Sequence, residues 1–83
     1  MHALPKSRDD FCDFKHYVGY RIAKIRGLYD MSQDDLAKAT GLSLASISAY
    51  ERGDTMPLFD NAYEIATALN TDVNDLCGFG EAS

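Results

Sequence analysis

The stretch from Ser32 to Gly53, SQDDLAKATGLSLASISAYERG, constrains the fold of this chain more than any other part of it. Ser32 and Asp35 have the spacing of a capping box, in which each side chain accepts a hydrogen bond from the other residue's backbone, so a helix is predicted to begin there. Gly41 supplies the left-handed residue that ends this helix. Ser43 then caps a further helix that ends at Gly53. The stretch therefore predicts a pair of short helices joined by a tight glycine turn.

The apolar residues of this stretch fall on one face of each predicted helix. Leu36 and Ala37 lie where the first helix would bury them, and Ile47 and Tyr50 lie three positions apart on the second helix. Ala37 is small, as a close crossing of the helices requires. A pair of helices joined in this way is typical of a helix-turn-helix. We therefore expect this pair to pack against helices from the rest of the chain.

The residues before this stretch predict a first helix, with two possible starts. An apolar stripe follows steps of three and four, through Phe11, Phe14, Val18, Ile22, Ile25 and Tyr29. Ser7 and Asp10 have the spacing of a capping box, which would extend the helix back to about Arg8, whereas Gly19 could break it. We expect a helix from about Val18 to Leu28, with residues 1–17 as a lead-in that could extend it.

Further helices are predicted after the central pair. Residues 54–57 read as a loop because they lack periodicity and end in a proline. A fourth helix is indicated by apolar residues at steps of three and four, Phe59, Ala62, Ala66 and Leu69, and by Asn70, which suits a left-handed helix end. A short fifth helix is indicated by Asp72 as its N-cap, with Val73 and Leu76 facing inward. Strand signals are weak. The prediction is an all-α fold of five helices, with a domain over residues 18–77 and a flexible tail over residues 78–83.

Composition excludes several classes of protein. The chain has 83 residues, of which 46% are hydrophobic, enough for one compact core but not for a cleft between domains. No apolar run reaches membrane-spanning length, and the polar start lacks a signal region, so we expect a cytoplasmic protein. Cys12 and Cys77 lack zinc-site spacing and are expected to be reduced, although spacing alone leaves a disulfide open. His2 and His16 lack partners for catalysis, so we expect no enzyme, metal or cofactor.

The run RGLYDMSQDDLAKATGLSLASISAYERGDTMP, together with IATALNTDVNDL, resembles the phage-repressor type of helix-turn-helix domain, the Cro and XRE family. The matching positions are Arg26, Ser32-Gln33, Leu36-Ala37, Gly41, Ser43, Ile47, Glu51-Arg52-Gly53, Pro57, Ile65-Ala66 and Leu69. The resemblance covers the chain from Val18 to Cys77. It implies a compact, lambda-repressor-like domain of five helices with the helix-turn-helix at helices two and three.

The resemblance also implies roles for individual residues. Arg26 and Glu51 match positions that form an ion pair joining the first and third helices. Gln33 and Arg52 match positions that contact DNA phosphate, and the third helix would enter the major groove. The remaining candidates are Ser43, Leu44, Ala45, Ser46, Ser48 and Ala49 for the DNA face, and Arg21, Lys24, Lys38 and Thr55 for additional phosphate contacts.

The face of the third helix that is predicted to contact bases differs from that of proteins that recognise DNA through many base contacts. Leu44, Ala45 and Ala49 stand where many relatives have Gln, Arg or Lys, and bidentate base contacts need such residues. Asp54 would face phosphate with the wrong sign. The whole chain carries a formal charge of −5 and has a pI of about 4.7, and residues 32–54 hold two basic and four acidic side chains, a net of −2. A negative charge on the whole chain and on this segment is unfavourable for a generic nucleic-acid binder.

Two function classes follow from these observations. The first is a sequence-specific DNA-binding regulator, a small repressor of phage or mobile-element type that binds double-stranded DNA as a homodimer. Its dimer surface would be either the last helix and tail, with Val73, Leu76 and Phe79, or the face of Phe11 and Phe14. The alternative is a protein-interaction module, antitoxin-like or regulator-binding, that keeps the fold but binds DNA weakly or not at all. No small-molecule ligand is indicated.

Overall fold

The computed structural model describes residues 13–77. In this part of the chain every regular element is a helix: α1 Phe14–Leu28, α2 Gln33–Thr40, α3 Leu44–Arg52, α4 Phe59–Ala68 and α5 Val73–Leu76. The prediction of an all-α fold with five helices, of which the second and third form the central pair, is confirmed for these residues.

Helix α1 starts earlier than the favoured sequence prediction. Asp13 is its N-cap, and its carboxylate accepts a hydrogen bond from the backbone N–H of His16 at 3.0 Å. Hydrogen bonds from the side chain and backbone of His16 lower the pKa of Asp13. The helix continues unbroken through Gly19, so the break considered there does not occur. The predicted capping box of Ser7 and Asp10 and the predicted apolar position Phe11 lie outside the described residues.

The core forms where all five helices meet. Its fully buried side chains come from every helix or its C-terminal cap: Val18, Ile22, Leu36, Ile47, Ile65, Leu69 and Leu76. Removing such side chains from water is the main stabilising contribution to a small domain. Helices α1 and α3 cross closely at Gly19, so α3 is seated against the longest helix of the described chain.

The α3–α4 and α4–α5 connections agree with the turn chemistry. Pro57 is buried in the connection. Asn70 has φ +58°, the predicted left-handed conformation after α4. Asp72 caps α5 by accepting a hydrogen bond from the Asp75 N–H at 2.7 Å. These local signals place α5 against α1 and α4.

Two expectations about apolar residues are wrong. Phe59 does not continue the buried stripe of α4: it is 72% exposed because it is the first residue of the helix, ahead of the turn that meets the core. Leu76 is not available for a dimer surface, since it is fully buried in the protein's own core, and Val73 packs partly against that core. Phe14 also packs against the core, and Phe79 lies outside the described residues.

Candidate nucleic-acid interface

The start of α2 is fixed by a reciprocal pair of hydrogen bonds. Ser32 Oγ accepts from the Asp35 N–H at 2.9 Å, and the Asp35 carboxylate accepts from the Ser32 N–H at 3.0 Å. Hydrogen bonds to the Asp35 carboxyl from the backbone and then from the side chain of Ser32 lower the pKa of that carboxyl. The predicted capping box is confirmed, and it places Gln33 at the first position of α2.

Helix α3 is held by its caps and by one buried face. Ser43 Oγ accepts from the Ser46 N–H at 3.0 Å, and Gly53, the C-cap of α3, has φ +79°, which glycine adopts without strain; Gly41, the C-cap of α2 just before α3, has φ +77°. Ile47 is fully buried. Because the caps and the core fix this helix, its other face has a defined direction.

The outward face of α3 carries the residues that the sequence predicts to meet DNA. Ser43, Leu44 and Ala45 are exposed, whereas Ser46, Ser48 and Ala49 are half-buried. Leu44 is 47% exposed. Ser43 and Ser46 are joined by a hydroxyl–hydroxyl hydrogen bond of 2.9 Å. The structure thus brings the predicted α3 residues together on one surface.

A cluster of charged and polar groups joins α1, α2 and α3. Arg26 donates to both carboxylate oxygens of Glu51, from Nε at 2.7 Å and from Nη2 at 3.0 Å, and from Nη1 to the Met31 carbonyl at 2.6 Å. The hydrogen bonds to Glu51 raise the pKa of Arg26. Gln33 Nε2 donates to Glu51 Oε1 at 2.9 Å. The expected pair of Arg26 and Glu51 lies in contact, and the same carboxylate orients Gln33.

Arg52 is paired on the surface, at the C-terminus of α3. Its Nε donates to Asp54 Oδ2 at 2.8 Å, and its Nη1 donates to Ser48 Oγ, one turn earlier on α3. The Arg52 and Asp54 side chains are 58% and 57% exposed. Arg52 therefore lies against the outward face of α3, with its guanidinium held by a carboxylate.

Two of the other predicted phosphate contacts, Arg21 and Lys24, lie beside α5. Arg21 is buried and donates from Nη2 to the Asp75 carbonyl of α5 at 2.9 Å. Lys24 lies over the Tyr20 ring, and with Arg21 it lines a groove of about 500 Å³ between α1, the α4–α5 connection and α5. Lys38 is exposed and pairs with Asp34 at 3.1 Å, one turn apart on α2. Thr55 is exposed in the loop after α3.

Residues 13–77 hold no group of three His, Cys, Asp or Glu side chains placed to bind a metal ion. The His16 ring pairs with the Asp13 carboxylate, and its carbon atoms pack against Gly53, where a Cβ would lie 2.4 Å from His16 Cδ2. Cys77 is buried, and burial raises the pKa of its thiol. Cys12 and His2 lie outside the described residues. None of the described helices is long and apolar enough to cross a membrane.

Sequence reasoning missed two contacts of this surface. The contact of Gln33 with Glu51 joins residues 18 positions apart, so no local pattern indicates it. The contact of Arg52 with Ser48 joins residues four positions apart on a helix, and side chains at that spacing are neighbours. The spacing could therefore have suggested that Arg52 lies back along α3.

Comparison with known proteins supports the geometry. A family model described as Helix-turn-helix (HTH_3) matches residues 22–76. The transcriptional repressor RstR of the cryptic phage CTXphi of Vibrio cholerae is 36% identical over 58 residues, which are 70% of this chain and 52% of the repressor, so the chain spans about half the length of that relative.

Solved structures have the same fold. The restriction-modification controller protein C.AhdI from Aeromonas hydrophila superposes with a TM-score of 0.73 at 29% identity, covering 75% of this chain and 94% of that protein. The P22 c2 repressor, solved in complex with a synthetic operator, superposes with a TM-score of 0.68 at 32% identity, covering 71% and 89%. Since the family model matches more than half of the residues, this chain belongs to the helix-turn-helix family HTH_3.

Proposed function

We propose that this protein is a DNA-binding transcriptional regulator that places α3 in the major groove of double-stranded DNA. The observation that carries the proposal is the division of α3 into a face fixed in the core, with Ile47 fully buried, and an outward face that exposes Leu44 and Ala45. The major groove of B-DNA admits a helix, and this motif presents the N-terminal part of its second helix to base edges.

Phosphate contacts would come from the ends of the helices. Gln33 lies in the first turn of α2, where the positive end of the helix dipole favours an anion. Its amide carries two N–H groups, of which one donates to Glu51, so the other can donate to a phosphate oxygen. Arg26 balances the charge of Glu51, so this carboxylate does not repel phosphate as an unpaired one would.

Base reading by one copy would be limited. Leu44 and Ala45 offer apolar contact with a thymine methyl group, and Ser46 can hydrogen-bond several bases. We therefore propose a homodimer that binds two half-sites about 34 Å apart, since linking two weak readers multiplies their affinities. RstR and the P22 c2 protein are named as repressors, which supports repression as the regulatory outcome and a cytoplasmic location.

Selection from random duplexes at low salt, followed by gel shifts, tests the proposal. We expect one sequence class to be enriched. The double variant Gln33→Ala with Arg52→Ala should bind the enriched sequence about tenfold more weakly, or weaker still. The slope of the logarithm of the binding constant against the logarithm of the salt concentration should become less steep by about one for each phosphate that the protein no longer neutralises. Lys24→Ala, which removes a positive charge from the groove between α1 and α5, is the matched control. Absence of enrichment, or wild-type affinity in the double variant, would refute the proposal.

The second candidate is a protein-interaction module that uses the same surface. The exposed Leu44 on α3 and the formal charge of −5 favour it, because an apolar helix face can occupy a protein groove and a negative chain repels DNA. The selection distinguishes the candidates, since a module that binds DNA weakly or not at all enriches no particular sequence, even at low salt concentration.

A further inference from the structure

The side chain of Arg52 occupies a defined site made by two neighbours. Asp54 accepts its Nε–H at 2.8 Å and Ser48 Oγ accepts from its Nη1. We refer to Arg52, Asp54 and Ser48 as the Arg52 clasp. The clasp spans the last turn of α3 and the first residues after it, and it lies on the surface that would meet DNA.

The backbone that carries Asp54 is held at the C-terminus of α3. The Asp54 N–H donates to the Ala49 carbonyl at 3.0 Å, which closes the C-terminus of α3. Gly53 has φ +79° and packs against the His16 ring so closely that no Cβ fits between them. The backbone of Gly53 and Asp54 is therefore held in place, which keeps Asp54 within reach of Arg52, while the carboxylate itself is held by the ion pair.

A phosphate and the Asp54 carboxylate compete for the positive charge of Arg52, of whose five N–H groups Asp54 accepts the one on Nε. A guanidinium binds either anion through its planar N–H groups, and both bonds are charge-assisted. If Arg52 turns to a phosphate, it leaves Asp54 as an unpaired negative charge beside the DNA backbone. If it stays with Asp54, the pair is neutral and contributes little attraction. Either way, Asp54 reduces what Arg52 contributes to DNA binding.

We infer that Asp54 restrains Arg52 and thereby sets the affinity of this surface for DNA, an inference that rests on the proposed function. Asp54 is then a positioning residue that lowers affinity for any duplex. Since one copy then binds any DNA weakly and α3 makes few base contacts, occupancy of a DNA site depends on the second subunit of the homodimer and on the salt concentration.

The experiment is a double-mutant cycle on DNA affinity, with Asp54→Asn, Arg52→Gln and the combined variant. Asp54→Asn should tighten binding to the selected duplex and to an unrelated duplex alike by about threefold to tenfold, because it releases one cation and removes one anion. In the Arg52→Gln background the same change should give a smaller gain, of about twofold or less, since it still removes an anion but releases no cation. Glu64→Gln, which removes an exposed negative charge from α4, is the control for net charge.

Each outcome of the cycle is decisive. An equal gain in both backgrounds, or an equal gain from Glu64→Gln, would mean that Asp54 acts only through net charge and would overturn the inference. An unchanged or weaker affinity of Asp54→Asn would also overturn it, while leaving the proposed function intact if the wild-type chain binds. If neither the wild-type chain nor Asp54→Asn binds any duplex, the proposed function fails and the inference fails with it. Thermal melting of each variant checks that the fold is retained.

Discussion

Gly19 is the residue at which α1 comes closest to α3. A Cβ at this position would lie 2.3 Å from the Tyr50 carbonyl oxygen and 2.8 Å from the Glu51 carbonyl oxygen. Both obstacles are backbone atoms, which cannot rotate away as a side chain can. Gly27 lies in the same helix, and a Cβ there would meet nothing within 4 Å. The two glycines therefore have different roles.

Alanine substitutions at the two positions should have opposite effects. Gly19→Ala should lower the free energy of unfolding by about 1–3 kcal/mol, since the overlap with α3 outweighs the gain of about 1 kcal/mol in helix propensity. Gly27→Ala should raise it by about 0.5–1 kcal/mol because only the propensity changes. Urea denaturation of the two variants measures both values. A stabilised Gly19→Ala protein would show that α1 and α3 do not cross so closely.

Sequence reasoning could not separate these residues. Both glycines weaken a predicted helix by the same amount, and only the crossing with α3 makes one of them necessary. The contacts of Glu51 are a second example. Its ion pair with Arg26 is implied by the family resemblance, but its hydrogen bond from Gln33 depends on how α2 packs against α3 and could not be predicted. Contacts between distant residues leave no local pattern in one sequence.

The starts of the helices are far more predictable, because a cap is a contact over three residues. Ser32, Ser43 and Asp72 each accept the predicted backbone hydrogen bond. The start of α1 is harder to choose, since Asp13 and Ser7 both precede apolar residues at helical spacing. The prediction that Phe59 belongs to the buried face of α4 is wrong, because periodicity shows which face of a helix is buried but not where along the helix the contact with the core begins.

The cap of α2 should make the stability of the protein depend on pH in the acid range. The pKa of Asp35 is below its ordinary value of 3.8 in the folded protein. The folded state therefore gains stability from this carboxylate above the unfolded pKa, and it loses that contribution as the pH falls through the folded pKa. Asp35→Asn should remove this part of the acid sensitivity. Denaturation between about pH 5 and pH 2 measures the difference between variant and wild type, and parallel profiles would contradict the assignment.

For the molecule as a whole, the distribution of charge matters more than its sum. The formal charge of −5 suggests that the protein would be repelled by DNA, yet much of the charge near α2 and α3 is paired. Arg26 with Glu51, Lys38 with Asp34, and Arg52 with Asp54 are ion pairs in contact. A surface of such pairs gives weak long-range attraction and leaves binding to short-range contacts. DNA binding by one copy of this chain should therefore be modest even at low salt concentration.

The most direct test of the central claim is an NMR titration of the ¹⁵N-labelled protein with the selected duplex. If α3 enters the major groove, the largest amide shifts fall on residues 43–52 and on Gln33. Residues of the groove between α1 and α5, such as Lys24 and Thr71, should shift little. Shifts confined to that groove or to the exposed Phe59 and Tyr63 of α4, with residues 43–52 unchanged, would contradict the account.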